Sequence, residues 1–248
     1  MRFILVPAIL ISLSAPALAQ DEDLPPVSYP TLVATALDAN GFVPKGWKLE
    51  TQDSGDLDGD GLPDIALALH QQDPRNVIPN GPLCGDTLDT NPRILAVVLA
   101  QRGGGYHLVM QNHSFVPRRD NACAEDWFAS EGVTGGAMEV TRGTVQVRLG
   151  RFMSAGGWSM GSSTFTFRWQ QGALRLIGFD YTNVQRNSGE METLSVNYLT
   201  RRAEIGKGSI SDDDLKTRWS TIPARPLLTI DEVGNGMEFD PNGLVSNL

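Results

Sequence analysis

The sequence is poor in the residues from which redox centres and transition-metal sites are built, with only 2 cysteines and 3 histidines in 248 residues. It contains no C-x-x-C motif, and no two histidines have the spacing of a zinc site, which disfavours both kinds of centre. Cys84 and Cys123 each lie in loop-like sequence. An even pair between loops predicts a disulfide in an oxidising compartment, and the alternative is two reduced, buried thiols.

Long hydrophobic runs are also missing. Only residues 3–13 form an extended apolar stretch, whereas a membrane-spanning helix needs about 20 residues. The stretch follows Met1-Arg2 and precedes Ala17-Leu18-Ala19, an arrangement typical of a secretory signal peptide. We therefore predict a signal peptide over residues 1–19 and no transmembrane segment after its removal, with a retained anchor as the alternative. The mature protein, residues 20–248, is expected to be a single β-rich domain that is periplasmic or secreted.

Positive charge is scarce relative to negative charge. Lys and Arg number 20 against 29 Asp and Glu, a formal net charge of -9, and the loss of Arg2 with the signal peptide makes it -10. Phosphate backbones and anionic membrane surfaces attract basic proteins rather than acidic ones. The composition therefore disfavours nucleic acid as a partner.

What the chain does contain is a short acidic loop at residues 56–64, with the sequence DLDGDGLPD. Calcium takes about six to eight oxygen ligands, and a loop that curls around the ion offers oxygens at alternate positions. Gly59 and Gly61 permit the backbone turns that bring those oxygens together. The pattern predicts a calcium site, and the alternative is a solvated acidic turn. The predicted ligands are the carboxylates of Asp56, Asp58, Asp60 and Asp64 and the backbone carbonyl of Leu62.

The loop is not an EF-hand, because the position that would carry the bidentate glutamate is Leu67. It resembles instead the D-x-D-G-D-G-x-x-D loop of FG-GAP and VCBS repeats, which leads into a hydrophobic strand; here Asp64 precedes the apolar run 65–69. That resemblance implies calcium as the cofactor, held by the four aspartates and the Leu62 carbonyl. The chain has a single copy of the loop, whereas those families repeat it.

Period-two alternation of apolar residues dominates the rest of the chain, and glycine-rich or polar turns separate the alternating segments. The pattern predicts a mainly β fold, an antiparallel meander arranged as a sandwich, a barrel-like sheet or a partial propeller. One or two short helices are expected, at residues 30–40 and 212–219. The predicted hairpins pair 93–100 with 106–111, 138–141 with 144–149, 163–169 with 173–181, and 192–199 with 203–205.

Residues 157–161, GWSMG, match the G-x-S-x-G motif that presents the nucleophile of α/β-hydrolases. That motif needs a following helix and a later histidine, but residues 164–169 alternate as a strand and every histidine precedes Ser159. An α/β-hydrolase is excluded, and we assign no catalytic residue. A triad of Ser159 with His107 or His113 and Asp120 or Asp126 is formally allowed, because such triads recur on unrelated folds.

Residues 167–169, 176–178 and 197–200 resemble a pattern found in bacterial periplasmic proteins, which implies a β-rich exported setting and no particular activity. Together these observations predict an exported calcium-binding β protein with a binding or scaffolding role in the cell envelope, where an envelope protein or a polysaccharide would be its partner. The alternative is a secreted hydrolase with structural calcium and a site near Ser159.

Overall fold

The computed structural model describes residues 24–211 and 215–248, so the predicted signal peptide lies outside the described residues. Strands account for 47% of the structure and helices for 6%, which confirms a mainly β fold. One α-helix, α1 (Ile230–Val233), and three 3-10 helices (Ala39–Phe42, Pro74–Asn76 and Pro241–Gly243) are present in the described part of the chain. The strands there are β1 (Thr35–Ala36), β2 (Trp47–Gly55), β3 (Asp64–Gln71), β4 (Val77–Pro79), β5 (Thr87–Asp89), β6 (Arg93–Ala100), β7 (Tyr106–Asn112), β8 (Ala137–Thr141), β9 (Thr144–Phe152), β10 (Ser159–Gln170), β11 (Ala173–Gln185), β12 (Glu190–Asn197), β13 (Arg202–Ser209) and β14 (Lys216–Thr221).

Two large antiparallel sheets make up the fold. The five-stranded sheet has the order β1-β7-β6-β3-β2, and the seven-stranded sheet runs from β14 to β8 in unbroken sequence order. The seven-stranded sheet is therefore a meander, and the antiparallel sheets include a curled half-barrel. Strands β4 and β5 form a separate two-stranded ribbon. The prediction of an antiparallel meander is confirmed, and all four predicted hairpins are present as β6–β7, β8–β9, β10–β11 and β12–β13.

The main hydrophobic core lies between the two sheets. Phe165, Phe167 and Phe179 project from the seven-stranded sheet and are fully buried. Phe115 packs edge-on against Phe165, with ring centroids 4.8 Å apart. Phe239, from the chain after α1, lies 5.6 Å from Phe165. Residues of both sheets contribute to this core.

Strand β3 is buried on both faces. Ala66 and Ala68 face the main core, whereas Ile65, Leu67 and Leu69 face a second core on the outer side of the five-stranded sheet. This explains why residues 65–69 form a continuous apolar run rather than an alternating one, since a strand covered on both faces has no solvent side.

The segment before β2 covers that outer face, but it does not form the predicted helix over residues 30–40. Gln111 holds it in an extended conformation, because its side-chain oxygen accepts the N–H of Leu32 at 3.0 Å and its amide donates to the Pro30 carbonyl at 2.6 Å. Leu32 is buried, but Leu37 is 86% exposed. The apolar spacing that indicated a helix therefore does not mark one buried face.

The second predicted helix, over residues 212–219, is also wrong where the structure describes it. Residues 212–214 lie outside the described residues, and Lys216–Thr221 is the edge strand β14. Arg218 pairs with Ile205 and Trp219 with Glu204 of β13. The acidic residues before this segment suggested the first turn of a helix, but the segment instead pairs with the edge of the seven-stranded sheet at β13.

The disulfide between Cys84 and Cys123 is confirmed. The two Cα atoms lie 4.9 Å apart, across a sequence separation of 39 residues. The bridge ties the loop after β4 to the long connection between β7 and β8. Both connections contain little regular secondary structure. The disulfide therefore restricts a part of the chain that has few backbone hydrogen bonds between strands.

Replacing both cysteines by serine is expected to lower the free energy of unfolding by about 4 kcal/mol, because a closed loop of this length restricts the unfolded chain. Urea denaturation of the double variant and of the wild type measures the difference. The wild type under dithiothreitol serves as the control and should lose a similar amount. A loss below about 1 kcal/mol in both would contradict a stabilising role for the bridge.

Candidate metal centre

The acidic loop closes the hairpin of β2 and β3. Gly55 and Asp64 form the last paired residues, so residues 56–63 make the connection. This end of the hairpin lies where the two sheets meet, because the Asp53 carboxylate accepts the N–H of Val140 in β8 at 2.7 Å. The β8–β9 turn is also close, since a Cβ on Gly143 would lie 3.5 Å from the Asp56 carbonyl oxygen.

The two loop glycines adopt the backbone conformation that the sequence predicted for them. Gly59 has φ of 85° and Gly61 has φ of 84°, in the left-handed region that other residues disfavour. A Cβ at either position would meet no atom within 4 Å, so the requirement is conformational and not one of space.

Asp64 is the best-anchored carboxylate of the loop. It is 1% exposed, and its two oxygens accept the N–H groups of Leu57 and Ala100, each at 2.8 Å. Asp64 therefore joins the start of the loop to the end of β6. Asp56 organises the middle of the loop, because its oxygens accept from Gly59 at 2.7 Å and from Gly61 at 3.0 Å.

Three of the four predicted carboxylates converge. Asp56, Asp58 and Asp64 each offer one oxygen, and these oxygens lie within 4.8 Å of one another. Asp60 is outside this group: one of its oxygens accepts the N–H of Leu62 at 2.8 Å, and the other lies 3.9 Å from the guanidinium of Arg102. We call Asp56, Asp58 and Asp64 the aspartate cluster.

The chemistry of the aspartate cluster fits a hard cation. It offers only oxygens, and a carboxylate oxygen that accepts one N–H keeps a second lone pair for a metal. Within the described residues, no Lys, Arg or His lies within 4.0 Å of any of the three carboxylates. Three negative groups are thus brought together with no cationic side chain among them.

Sequence reasoning missed a second polar centre, in which the buried guanidinium of Arg93 binds two carboxylates. Arg93 donates to Glu50 at 2.6 and 2.8 Å and to Asp126 at 3.0 and 2.7 Å. Glu50 lies 43 positions before Arg93 and Asp126 lies 33 positions after it, so no local pattern reveals the triad. The one available signal was an arginine at the start of the otherwise apolar strand β6.

His70 lies beside this triad. Its Nδ1 is 3.7 Å from a Glu50 oxygen, and its Nε2 is 3.3 Å from the Asn91 carbonyl oxygen. Burial of the ring, followed by the nearby charge of Arg93, lowers the pKa of His70 below its ordinary value of 6.5. The folded protein therefore binds fewer protons here than the unfolded chain does below pH 6.5. Above pH 6.5 the ring is neutral in both states, and His70 does not reduce the unfolding free energy. As the pH falls below 6.5 towards the folded pKa, the unfolded chain takes up the proton first and the unfolding free energy decreases.

We expect the wild type to lose unfolding free energy more steeply than a His70→Gln variant does as the pH falls below about 6.5, because glutamine cannot be protonated there. Chemical denaturation at a series of pH values provides the comparison. His113→Gln is the matched control, since His113 is exposed and stacks on Tyr29. Parallel stability profiles for wild type and His70→Gln would show that His70 does not set the acid sensitivity.

Ser159 is the first residue of β10, and no helix follows it. Its hydroxyl hydrogen-bonds to the side-chain oxygen of Asn183. His107 belongs to β7 of the other sheet, and His113 stacks on Tyr29. Among the described residues, no histidine hydrogen-bonds to Ser159. The hydrolase alternative stays a prediction that no contact of this serine favours.

Comparison of the chain with models of protein families, with curated proteins and with solved structures gives no match. Over the part of the chain that the structure describes, no helix has the length and apolar character needed to cross a membrane.

Proposed function

We propose that the loop at residues 56–64 binds calcium, and that the protein is exported and has a binding or scaffolding role in the cell envelope. The observation that carries the proposal is the aspartate cluster, whose three oxygens lie within 4.8 Å of one another. Asp56, Asp58 and Asp64 would be its side-chain ligands. The Leu62 carbonyl, Asp60 and water are the further oxygens from which six to eight ligands would be completed.

Electrostatics supports this assignment. Two unit charges separated by about 5 Å repel by roughly 1 kcal/mol in bulk water and by more near a protein surface. A divalent cation among the three carboxylates replaces that repulsion by attraction. Because the loop closes the hairpin next to β8, the ion would stabilise the place where the two sheets meet.

Calcium is expected to stabilise the folded protein against heat and EDTA to reverse the effect. An ion that binds only the native state at 100 times its Kd adds about 2.7 kcal/mol of unfolding free energy. Asp58→Asn should lose most of the calcium response, because the amide keeps an oxygen that can accept the Asp60 N–H but removes a negative ligand. The melting temperature is measured in 1 mM EDTA and, separately, at calcium chloride concentrations from about 0.01 to 5 mM. This range of concentrations includes the Kd values of extracellular calcium sites.

Asp120→Asn is the control for the loss of one negative charge, since Asp120 is exposed and lies in the β7–β8 connection. It should retain the full calcium response. A wild-type protein whose melting temperature and heat of titration do not change with calcium would overturn the metal assignment.

Export is supported by the signal-peptide pattern at residues 1–19 and by the disulfide, which an oxidising compartment maintains. We expect a bacterial host to process the chain after Ala19, because the small residues Ala17 and Ala19 suit the cleavage site. Intact-mass spectrometry of the periplasmic fraction should find a protein that begins at Gln20. Ala19→Glu should block cleavage, whereas Ala8→Leu, which keeps the apolar stretch, should not. An uncleaved cytoplasmic wild type would contradict export.

The surface available for a binding role is the outer face of the seven-stranded sheet. Strand register aligns one polar row across it, and the row ends at the edge strand with Trp219, which is 56% exposed. A polar sheet face with an exposed aromatic ring suits a polysaccharide or an envelope protein as the partner. The row consists of Arg148, Thr164, Asp180, Ser195, Glu204 and Trp219.

A further inference from the structure

A cavity of about 330 Å³ lies at one end of the seven-stranded sheet, away from the calcium loop. Its floor comes from β11 and from the turn between β12 and β13, and its roof comes from residues 222–228, which follow β14. Sites for small molecules have volumes from about 300 to 1,000 Å³, so the cavity has the size of a small-ligand site.

The roof is a strap held at both ends. At one end the Ile222 N–H donates to the Arg201 carbonyl at 3.0 Å. At the other end the Leu228 carbonyl accepts the N–H of Leu176 at 2.8 Å, and the Leu227 carbonyl accepts from Arg175 at 3.0 Å. Between the anchors the exposed sequence Pro-Ala-Arg-Pro, residues 223–226, contains two residues whose rings fix φ. The strap is therefore restricted before any ligand arrives.

Apolar side chains form part of the cavity lining. Leu176 in the floor and Ile222 at the start of the roof are both buried, and the half-buried Phe239 and the ring of Tyr198 also line the cavity. Burial raises the pKa of Tyr198 above its ordinary value, so this phenol stays neutral at physiological pH. The interior consequently offers hydrophobic contact and no negative charge from the tyrosine.

Two arginine side chains line the same cavity, although the net charge of the chain is strongly negative. Arg201 and Arg225 both line it and are exposed, and within the described residues neither has an ion-pair or side-chain hydrogen-bond partner. Asp240 is the one carboxylate among the described residues of the lining, and it is directed to the chain after it, because its oxygens accept the N–H groups of Val245 at 2.7 Å and Ser246 at 3.2 Å. The guanidinium donors are thus available to a ligand.

From this arrangement we propose that the cavity binds a small amphipathic carboxylate, with its apolar part between the sheet and the strap and its carboxylate at Arg201 and Arg225. Guanidinium groups form paired, charge-assisted hydrogen bonds with carboxylates, which gives both energy and orientation. An apolar body without the anion would lose these bonds, and a cationic head group would be repelled. The site is separate from the calcium loop, and its occupancy does not depend on the metal.

Isothermal titration with decanoate, 1-decanol and decyltrimethylammonium, each at a concentration below aggregation, tests the proposal. Decanoate should bind with a Kd at least about 10-fold lower than either of the other two, since a hydrogen bond to a charged group contributes a factor of that order. The Asp58→Asn variant should bind decanoate as the wild type does, which separates this site from the calcium proposal. Equal binding of the three compounds, or no binding of decanoate at millimolar concentration, would overturn it.

Substitutions of the two arginines test whether the carboxylate of the ligand binds there. Arg225→Gln and Arg201→Gly should each weaken decanoate binding about 10-fold. Arg201 has φ of 57°, a conformation that glycine adopts freely, so Arg201→Gly removes the guanidinium and keeps the turn. Arg225→Lys should recover part of the affinity. Arg218→Gln, on β14 outside the cavity, is the control for net charge and should leave the Kd unchanged; an equal loss in that control would refute a specific site.

Discussion

The buried carboxylate of Asp64 is the constraint on which the acidic loop depends. A charged group that is 1% exposed must find hydrogen-bond donors within the protein, and Asp64 finds them in the N–H groups of Leu57 and Ala100. One donor belongs to the loop, and the other ends the neighbouring strand β6. The loop, its hairpin and the centre of the five-stranded sheet are thereby fixed to one another before any ion is considered.

A second buried charge fixes the opposite end of the same strands. Arg93 begins β6 and binds Glu50 of β2 and Asp126 of the long β7–β8 connection. With one cation and two anions the triad carries net negative charge, which His70 would lessen by taking up a proton. Burial and Arg93 oppose that proton, so the ring stays neutral at the expense of acid stability. The sheet is thus held by polar groups at both ends and by apolar packing between them.

The sequence predicted the elements that depend on local order and missed those that depend on distant partners. The β10–β11 hairpin followed from alternation and from the glycine at 172, and the strand after Asp64 followed from its apolar run. The helix over residues 30–40 failed because Gln111, far along the chain, binds that backbone. Short elements such as the single turn of α1 contain too few residues for a periodic signal.

The same distinction holds at the candidate metal centre. The positive φ of Gly59 and Gly61 and the convergence of Asp56, Asp58 and Asp64 follow from spacing within nine residues. The pairing of Asp60 with Arg102 depends on where the β6–β7 turn lies, which spacing within the loop does not specify. The cavity beneath residues 223–226 depends on the packing of the strap, the β12–β13 turn and the segment after α1, and no motif in the sequence encodes it.

The position of Phe239 has a consequence for how the chain matures. This ring lies against Phe165 and Phe179 in the main core, and Val245 and Leu248 pack nearby, yet all three residues follow every strand in the chain. A ribosome delivers them after both sheets have emerged, so a nascent chain holds an incompletely filled interior until its final segment arrives. Without Phe239, the rings of Phe165 and Phe179 would lack a neighbour whose centroid lies 5.6 Å from the first and 5.3 Å from the second.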